Sequence, residues 1–363
     1  MAPVKVLVVG VGNMGLSHAK AYQKLDGFEL VGLMSRTIQA KKDRLPAELQ
    51  GVPLFQDFDE ALKATRPDAV SINTYPNSHA DYAIRAMDAG AHVFMEKPIA
   101  TNLADAERVV AKAKEKNRKL VLGYILRVHP AWAKFVEIGQ TLGKPLVMRM
   151  NLNQQSSGEA WPWHKALMES LTPIVDCGVH YVDVMCQLTR ARPVRVHGIG
   201  AKLSAETKVQ NYGHLHVQFD DGSVGWYEAG WGPMMSEVAY FVKDIVGPNG
   251  SASIAYKPQE GQSEAKPDQI SDSADIDQHT KTNAIKLHHA ELDENNHFKR
   301  KDEWISTEDE PSHQELCDRE QAWFLKTIVE DIDLSESMAD AVNSLKIVLA
   351  AQQSIDEQRS IDL

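Results

Sequence analysis

Val4-Lys5-Val6-Leu7-Val8-Val9-Gly10-Val11-Gly12-Asn13-Met14-Gly15 decides the fold of this chain. A short run rich in valine, without polar alternation, reads as a strand buried on both faces. It runs directly into G-x-G-x-x-G, and helical spacing follows over Gly15–Leu25. By itself the glycine pattern is weak. Between a buried strand and an opening helix it has a mechanism: Gly10 permits the tight turn, Gly12 lets backbone approach a pyrophosphate, and Gly15 lets helix and strand pack closely. The helix N-terminus then offers unpaired N–H groups and a positive dipole end to phosphate. Gly10, Gly12, Asn13, Met14 and Gly15 are therefore the first cofactor-binding candidates.

Working outward, the same rhythm continues to about residue 125. Further buried runs lie at Phe28–Met34, Ala69–Ile72, His92–Met95 and Leu120–Tyr124. Helical patterns fill the gaps at Asp59–Ala64, His79–Ala89 and Leu103–Lys116. Strand–helix alternation implies βαβ units and a parallel, doubly wound sheet. The pattern then changes. Pro130–Leu142 and Ser170–Leu188 read as helices. Pro145–Leu152, Arg195–Ala201, Asn211–Phe219, Ser223–Trp231, Glu237–Val246 and Ser251–Tyr256 read as longer strands. The turn signals Asp220-Asp221-Gly222 and Pro248-Asn249-Gly250 join neighbours as hairpins. The expected architecture is an α/β dinucleotide-binding domain over 1–125 and an α+β domain over 126–363 with a large, mainly antiparallel open sheet. Within the latter, 257–311 is polar enough to read as a solvated insertion. Glu315–Glu330 and Ser337–Glu357 read as closing amphipathic helices. The uncovered face of the second sheet is a candidate surface for a homodimer or homotetramer.

The bulk numbers narrow the class of protein. At 363 residues, two domains are the natural prior. A formal charge of −11 argues against a nucleic-acid partner, which requires a basic footprint. The three cysteines, Cys177, Cys186 and Cys317, lack close metal-type spacing and suit a reducing, cytoplasmic setting better than a disulfide framework. No apolar run approaches the roughly 20 residues of a membrane span. His279, His288, His289 and His297 fit no standard metal spacing, so no metal is expected.

Three further features carry chemistry. Glu96-Lys97-Pro98 follows the strand His92–Met95, at the carboxyl end of a parallel strand, where open α/β sheets bind ligands. A lysine there either stabilises a developing alkoxide beside a nicotinamide or simply pairs with Glu96 at the surface. Asp176 and His180, spaced i and i+4, share one helix face about 5–6 Å apart. Imidazole is matched to proton transfer near neutral pH, although a histidine on a partly apolar helix also serves purely structural ends. Past the second strand, Leu33-Met34-Ser35-Arg36-Thr37 has no Asp or Glu for ribose hydroxyls. Ser35 and Arg36 can instead hold a 2′-phosphate, which favours NADP, or Arg36 can stack on adenine while NAD binds. On the substrate side, Asn151–Lys165 combines amides (Asn151, Asn153, Gln154, Gln155) with indoles (Trp161, Trp163), the materials of a sugar-binding wall or of a packed interface.

The joint pattern resembles the Gfo/Idh/MocA family of oxidoreductases, which includes inositol dehydrogenases and glucose–fructose oxidoreductase. The resemblance rests on Gly10 to His18 (GVGNMGLSH), Thr74 to His79 (TYPNSH), Ala89 to Pro98 (AGAHVFMEKP), Gly123 to Pro130 (GYILRVHP) and the Asp176/His180 helix. It implies hydride transfer between a nicotinamide and a secondary alcohol or ketone of a sugar or cyclic polyol. Lys97, Asp176 and His180 would be catalytic. Thr74, Tyr75, Pro76, Asn77, His79 and Glu96 would line the cofactor, with Lys97 and Arg127 touching both cofactor and substrate. Asn153, Trp163, Asp176 and His180 would complete the substrate side. The family also implies a frequently cis Lys97–Pro98 peptide. Other activities on the same scaffold are a glycosidase using tightly bound nicotinamide for transient oxidation and a non-catalytic nucleotide sensor.

Overall fold

In the computed structural model, residues 2–158, 160–235, 242–255, 280, 282, 284–307 and 310–363 are described. Contacts divide the chain into two compact units, residues 1–128 with 311–345, and residues 129–310 with 346–363. Residues 311–345, read from sequence as part of the second domain, belong to the first unit.

The first unit is built on six parallel strands: β1 (Val4–Val9), β2 (Phe28–Met34), β3 (Leu54–Phe55), β4 (Ala69–Ile72), β5 (His92–Glu96) and β6 (Leu120–Gly123). Their order is β3-β2-β1-β4-β5-β6. The sheet therefore reverses direction between β1 and β4, and ligands of open α/β sheets bind beyond the strand ends at such a point. Val6–Val9 and Ala69–Ile72, Ser71 included, are fully buried, as strands covered on both faces require. Only β3 escaped the sequence reading; two residues are too few to show a period.

Caps explain where three of the helices of this unit begin. Asp57 and Asn102 accept the backbone N–H groups of Glu60 and Asp105 at the starts of helices Phe58–Thr65 and Leu103–Lys116. Asn117, left-handed at φ +50°, closes the second. Ser312 and Glu315 form a reciprocal capping box that starts helix His313–Val329. The helix Asn13–Lys24 differs. Its N-cap is Gly12, with no side-chain cap bond.

The second unit holds a nine-stranded sheet. Its strands are β7 (Val147–Gln155), β8 (Pro193–Ala201), β9 (Tyr212–Phe219), β10 (Val224–Gly232), β11 (Lys243–Gly247), β12 (Gly250–Ala255), β13 (Ala284–His289), β14 (Glu303–Ser306) and β15 (Ile361–Asp362). The order is β14-β13-β12-β11-β7-β10-β9-β8-β15, antiparallel except where β7 meets β10. That parallel pair joins strands distant in sequence and places Trp231 opposite Gln154 and Gly230 opposite Asn153.

One face of this sheet is covered by the helix Gly178–Thr189. Tyr181 stacks on Tyr227 with ring centroids 5.1 Å apart, and Met148, Met150, Leu215 and Val217 are buried. The opposite face leaves Val147, Val224 and Val246 exposed. About half of the 257–311 stretch, His279 included, lies outside the described residues. Its described part is not simply a solvated insertion: β13 and β14 extend the sheet, with Ala284 and Ile285 buried. The polar residues around that short apolar pair hid both strands in the sequence. Among the described residues no helix is long and apolar enough to cross a membrane.

Candidate active site

The glycine loop is shaped by close contacts. A Cβ on Gly15 would lie 1.9 Å from the carbonyl oxygen of Gly10, and one on Gly10 would lie 2.5 Å from that of Asn73. Gly10 also has φ +87°, where an L side chain is strained. These two positions hold strand, loop and helix together. At Gly12 a Cβ would meet nothing within 4 Å, so internal packing makes no demand for glycine there. The open space beside Gly12, together with a helix start lacking a side-chain cap, fits a pyrophosphate against backbone N–H groups. Asn13 and Met14 are the first two residues of that helix.

Around the strand ends lie the other cofactor candidates. Ser35 and Arg36 directly follow β2, and the Arg36 side chain is exposed. Ser35 N–H donates to Phe55 O, and the Arg36 carbonyl accepts from Gln56. Beyond β4, Thr74 and Tyr75 lead into a 3-10 turn over Pro76–Ser78 that contains Asn77. Tyr75 is 69% exposed. Thr74 and Ser78 share a 2.7 Å hydroxyl contact. His79 is fully buried, its ring nitrogens 2.8 Å from Pro98 O and 2.9 Å from Thr74 O. It braces the β4 loop against the Lys97–Pro98 segment. Burial lowers its pKa despite these two carbonyls.

Lys97 sits half-buried just past β5, and its peptide with Pro98 is cis. Glu96 is buried rather than a surface partner. Its Oε1 lies 2.9 Å from His18 Nε2, and its Oε2 accepts the Lys97 backbone N–H at 3.1 Å. Burial raises its pKa, but the His18 hydrogen bond and the nearby positive charge of Lys97 outweigh this, and the carboxyl stays below its ordinary value. Gln321 donates to His18 Nδ1 at 2.8 Å and accepts from Tyr22 at 2.5 Å. The amide donor fixes the tautomer: Nδ1 carries the lone pair and Nε2 the proton. His18 stood in the opening motif, yet its burial and its pairing with Glu96 have no local signature. Arg127, half-buried, donates to Asp340 at 2.8 Å and to Ser337 at 3.2 Å, and lies 5.8 Å from the Tyr124 ring.

In the second unit, Asp176 ends a short helix, Pro173–Asp176, and His180 lies in the next, Gly178–Thr189. The expected single helix is interrupted, yet Cys177 keeps right-handed helical dihedrals, so the two side chains retain near-helical spacing. Both are buried, at 9% and 8% exposure. Neighbouring polar groups converge here. The negative charge of Asp176 reaches both His164 and Tyr227, and that of Glu228 reaches Tyr227. Asn153 donates to Glu228 at 2.6 Å. Trp231 donates to Gln154 at 2.7 Å. His164 Nδ1 lies 2.5 Å from Ser156 Oγ, and its ring stacks on Trp231 at 4.5 Å. Burial drives its pKa down to about 4, against the opposing pull of Asp176. Trp163, 56% exposed, lies 4.9 Å from the His164 ring, whereas Trp161 is buried. Glu228, Trp231 and Ser156 were missed from sequence.

Residues 4–124 match the family model described as "Oxidoreductase family, NAD-binding Rossmann fold" and residues 137–252 match that of the GFO/IDH/MocA C-terminal domain. The chain belongs to the Gfo/Idh/MocA family of oxidoreductases. It is 27% identical over 235 residues to scyllo-inositol 2-dehydrogenase (NAD(+)) of Bacillus subtilis, a match covering 62% of this chain and 67% of that protein. It is 30% identical over 224 residues to UDP-N-acetylglucosamine 3-dehydrogenase of Acidithiobacillus ferrooxidans, covering 62% of this chain and 66% of that one. Each match thus spans about two thirds of the relative's length. The solved scyllo-inositol dehydrogenase of Lactobacillus casei, with bound NAD(H) and scyllo-inositol, superposes with a TM-score of 0.73 at 22% identity, covering 99% of both chains. At that identity the likeness shows the fold.

Proposed function

We propose that this oxidoreductase transfers hydride between a nicotinamide and a secondary alcohol or ketone of a sugar or cyclic polyol. The observation that carries the reading is Lys97, held at the carboxyl end of β5 in the same unit as the glycine cradle after β1. The relatives' names, inositol and sugar-nucleotide dehydrogenases, supply the substrate class. The nicotinamide, when bound, accepts or donates the hydride. The Lys97 ammonium steadies negative charge on the reacting oxygen. His180 takes the hydroxyl proton in the oxidative direction and returns it in the reductive one. Asp176 orients substrate and imidazole. Asn153 and Trp163 hold the substrate's hydroxyls and ring face, and Arg127 steadies the nicotinamide end of the site.

Our reading of the cofactor is NADP, supported by the exposed Arg36 after β2 and the lack of a carboxylate at Ser35–Thr37. The family description and the name of the Bacillus subtilis relative favour NAD, so the choice rests on Arg36. We also read the protein as cytoplasmic, supported by three buried cysteines that form no disulfide, and as a homo-oligomer through the sheet face that exposes Val147, Val224 and Val246. The test is reduced-nicotinamide absorbance with a panel of sugars and cyclic polyols and each nucleotide in turn. Turnover with one polyol, and a higher specificity constant with NADP, is expected. Nucleotide binding without turnover across the panel, in both directions, refutes the reading.

A further inference from the structure

The helix His313–Val329 carries His313, Cys317 and Glu320 at i, i+4 and i+7, spacings that place all three on one face. That face meets His18 of the helix Asn13–Lys24. A ring nitrogen of His18, Sγ of Cys317 and a carboxylate oxygen of Glu320 lie within 4.8 Å of one another, and all three residues are buried. His313 Nδ1 lies 3.8 Å from Cys317 Sγ and the residue is half-buried, giving the cluster an edge toward solvent.

Glu320 makes this cluster more than a packing accident. It is only 3% exposed, and among the described residues neither of its carboxylate oxygens has a hydrogen-bond partner. A buried carboxyl without partners is costly and calls for an ion or a comparable partner. Burial, and then the charge of Glu96, push its pKa well above the ordinary carboxylate value; burial and the Glu320 charge do the same for the Cys317 thiol. Burial and the facing carboxylates thus both disfavour negative charge at this face, and a bound cation would relieve that.

We propose that His18, His313, Cys317 and Glu320 form a binding site for one divalent cation of the zinc class, separate from the nicotinamide chemistry. Two imidazoles, a thiolate and a carboxylate make a four-coordinate donor set of the type zinc takes. Thiolate and carboxylate together balance the ion's two positive charges. His18 is already oriented for this. Its Nδ1 carries the lone pair, at present accepting from the Gln321 amide, while Nε2–H is held by the Glu96 carboxylate. A ligating histidine whose other N–H is held by a carboxylate is the usual outer-shell arrangement of metal sites. Donor atoms around such an ion stand about 3.3–3.8 Å apart, so the His18, Cys317 and Glu320 atoms need closure of roughly 1 Å and rotation of the Gln321 amide, with His313 joining from the Cys317 side. Because Glu96 also accepts the Lys97 N–H, an ion on His18 would tie the catalytic strand end to the helix His313–Val329.

The test uses the full chain free of any histidine tag, dialysed against chelator and titrated with Co2+ and, separately, Zn2+. About one Co2+ should bind per chain with a near-ultraviolet thiolate-to-cobalt charge-transfer band, and Zn2+ should displace it and raise the thermal midpoint by a few degrees. Cys317→Ser should abolish the band. Glu320→Gln, which replaces the buried carboxyl with an amide of the same shape, should fold and lose both the band and the Zn2+-induced shift. Absence of binding in the wild type, or a band and shift that persist in Glu320→Gln, overturns the site. If Cys317→Ser fails to fold, the Glu320→Gln result decides. Because the readouts are metal content, absorbance and stability, failure here leaves the hydride-transfer reading untouched.

Discussion

His18 Nε2 lies 2.9 Å from Glu96 Oε1 inside the first unit, and the second oxygen of that carboxylate holds the backbone N–H of Lys97. One buried acid therefore links the helix that opens at the glycine loop to the residue assigned the reacting oxygen. Hydrogen bonds to charged groups contribute about 1.5–3 kcal/mol each. Lys97 accordingly stands on a rigid base rather than on a free loop.

Lys97→Ala and His180→Ala should each lower kcat by about 10²–10⁴-fold, the usual contribution of a positioned acid or base. Nucleotide affinity should change little, because neither residue belongs to the glycine cradle. Steady-state kinetics paired with nucleotide titration checks this. Near-wild-type turnover in both variants would remove them from the mechanism.

Arg36→Asp should move preference from NADP toward NAD. The introduced carboxylate repels a 2′-phosphate and accepts from ribose hydroxyls. The measurement is the ratio of kcat/KM for the two nucleotides. An unchanged ratio would show that Arg36 does not read the phosphate.

Gly15→Ala tests the loop geometry. Its methyl group would fall 1.9 Å from the Gly10 carbonyl oxygen, which is backbone and has little room to yield. Destabilisation of about 1–3 kcal/mol or more is expected in urea denaturation, with loss of nucleotide binding. Wild-type stability and binding would mean that helix and strand approach less closely than described.

Placement of the candidate residues on their elements was largely legible in sequence, in proportion to how local its determinants are. β1, β4 and β5 announce themselves as continuous apolar runs, so Gly10, Thr74 and Lys97 fall at strand ends without any tertiary information. His164 and Trp231 are a different case. Their stacking, and the Trp231–Gln154 hydrogen bond, depend on the parallel pairing of β7 with β10, for which no local signal exists. Glu228 likewise reads as an ordinary strand residue until Asn153 is brought against it. The strand Ala284–His289 was hidden because only its first residues are buried.

His164 provides a pH prediction. Its folded pKa of about 4 lies below its ordinary value of 6.5, so the unfolded chain takes up a proton that the folded chain refuses. Its contribution to stability is whole above about pH 6.5, falls as pH drops toward 4, and is then flat, a loss of up to roughly 3 kcal/mol. Urea midpoints between pH 7 and pH 4 should fall less steeply for His164→Gln than for the wild type. Parallel curves would contradict the burial of a neutral imidazole there.

Transfer of isotope from substrate to cofactor tests the central claim most directly. A polyol that supports turnover would be deuterated at the reacting carbinol carbon, and the reduced nicotinamide nucleotide examined by mass spectrometry. The account predicts a nucleotide one mass unit heavier, formed in step with ketone. Formation of product with no deuterium in the nucleotide would contradict direct hydride transfer.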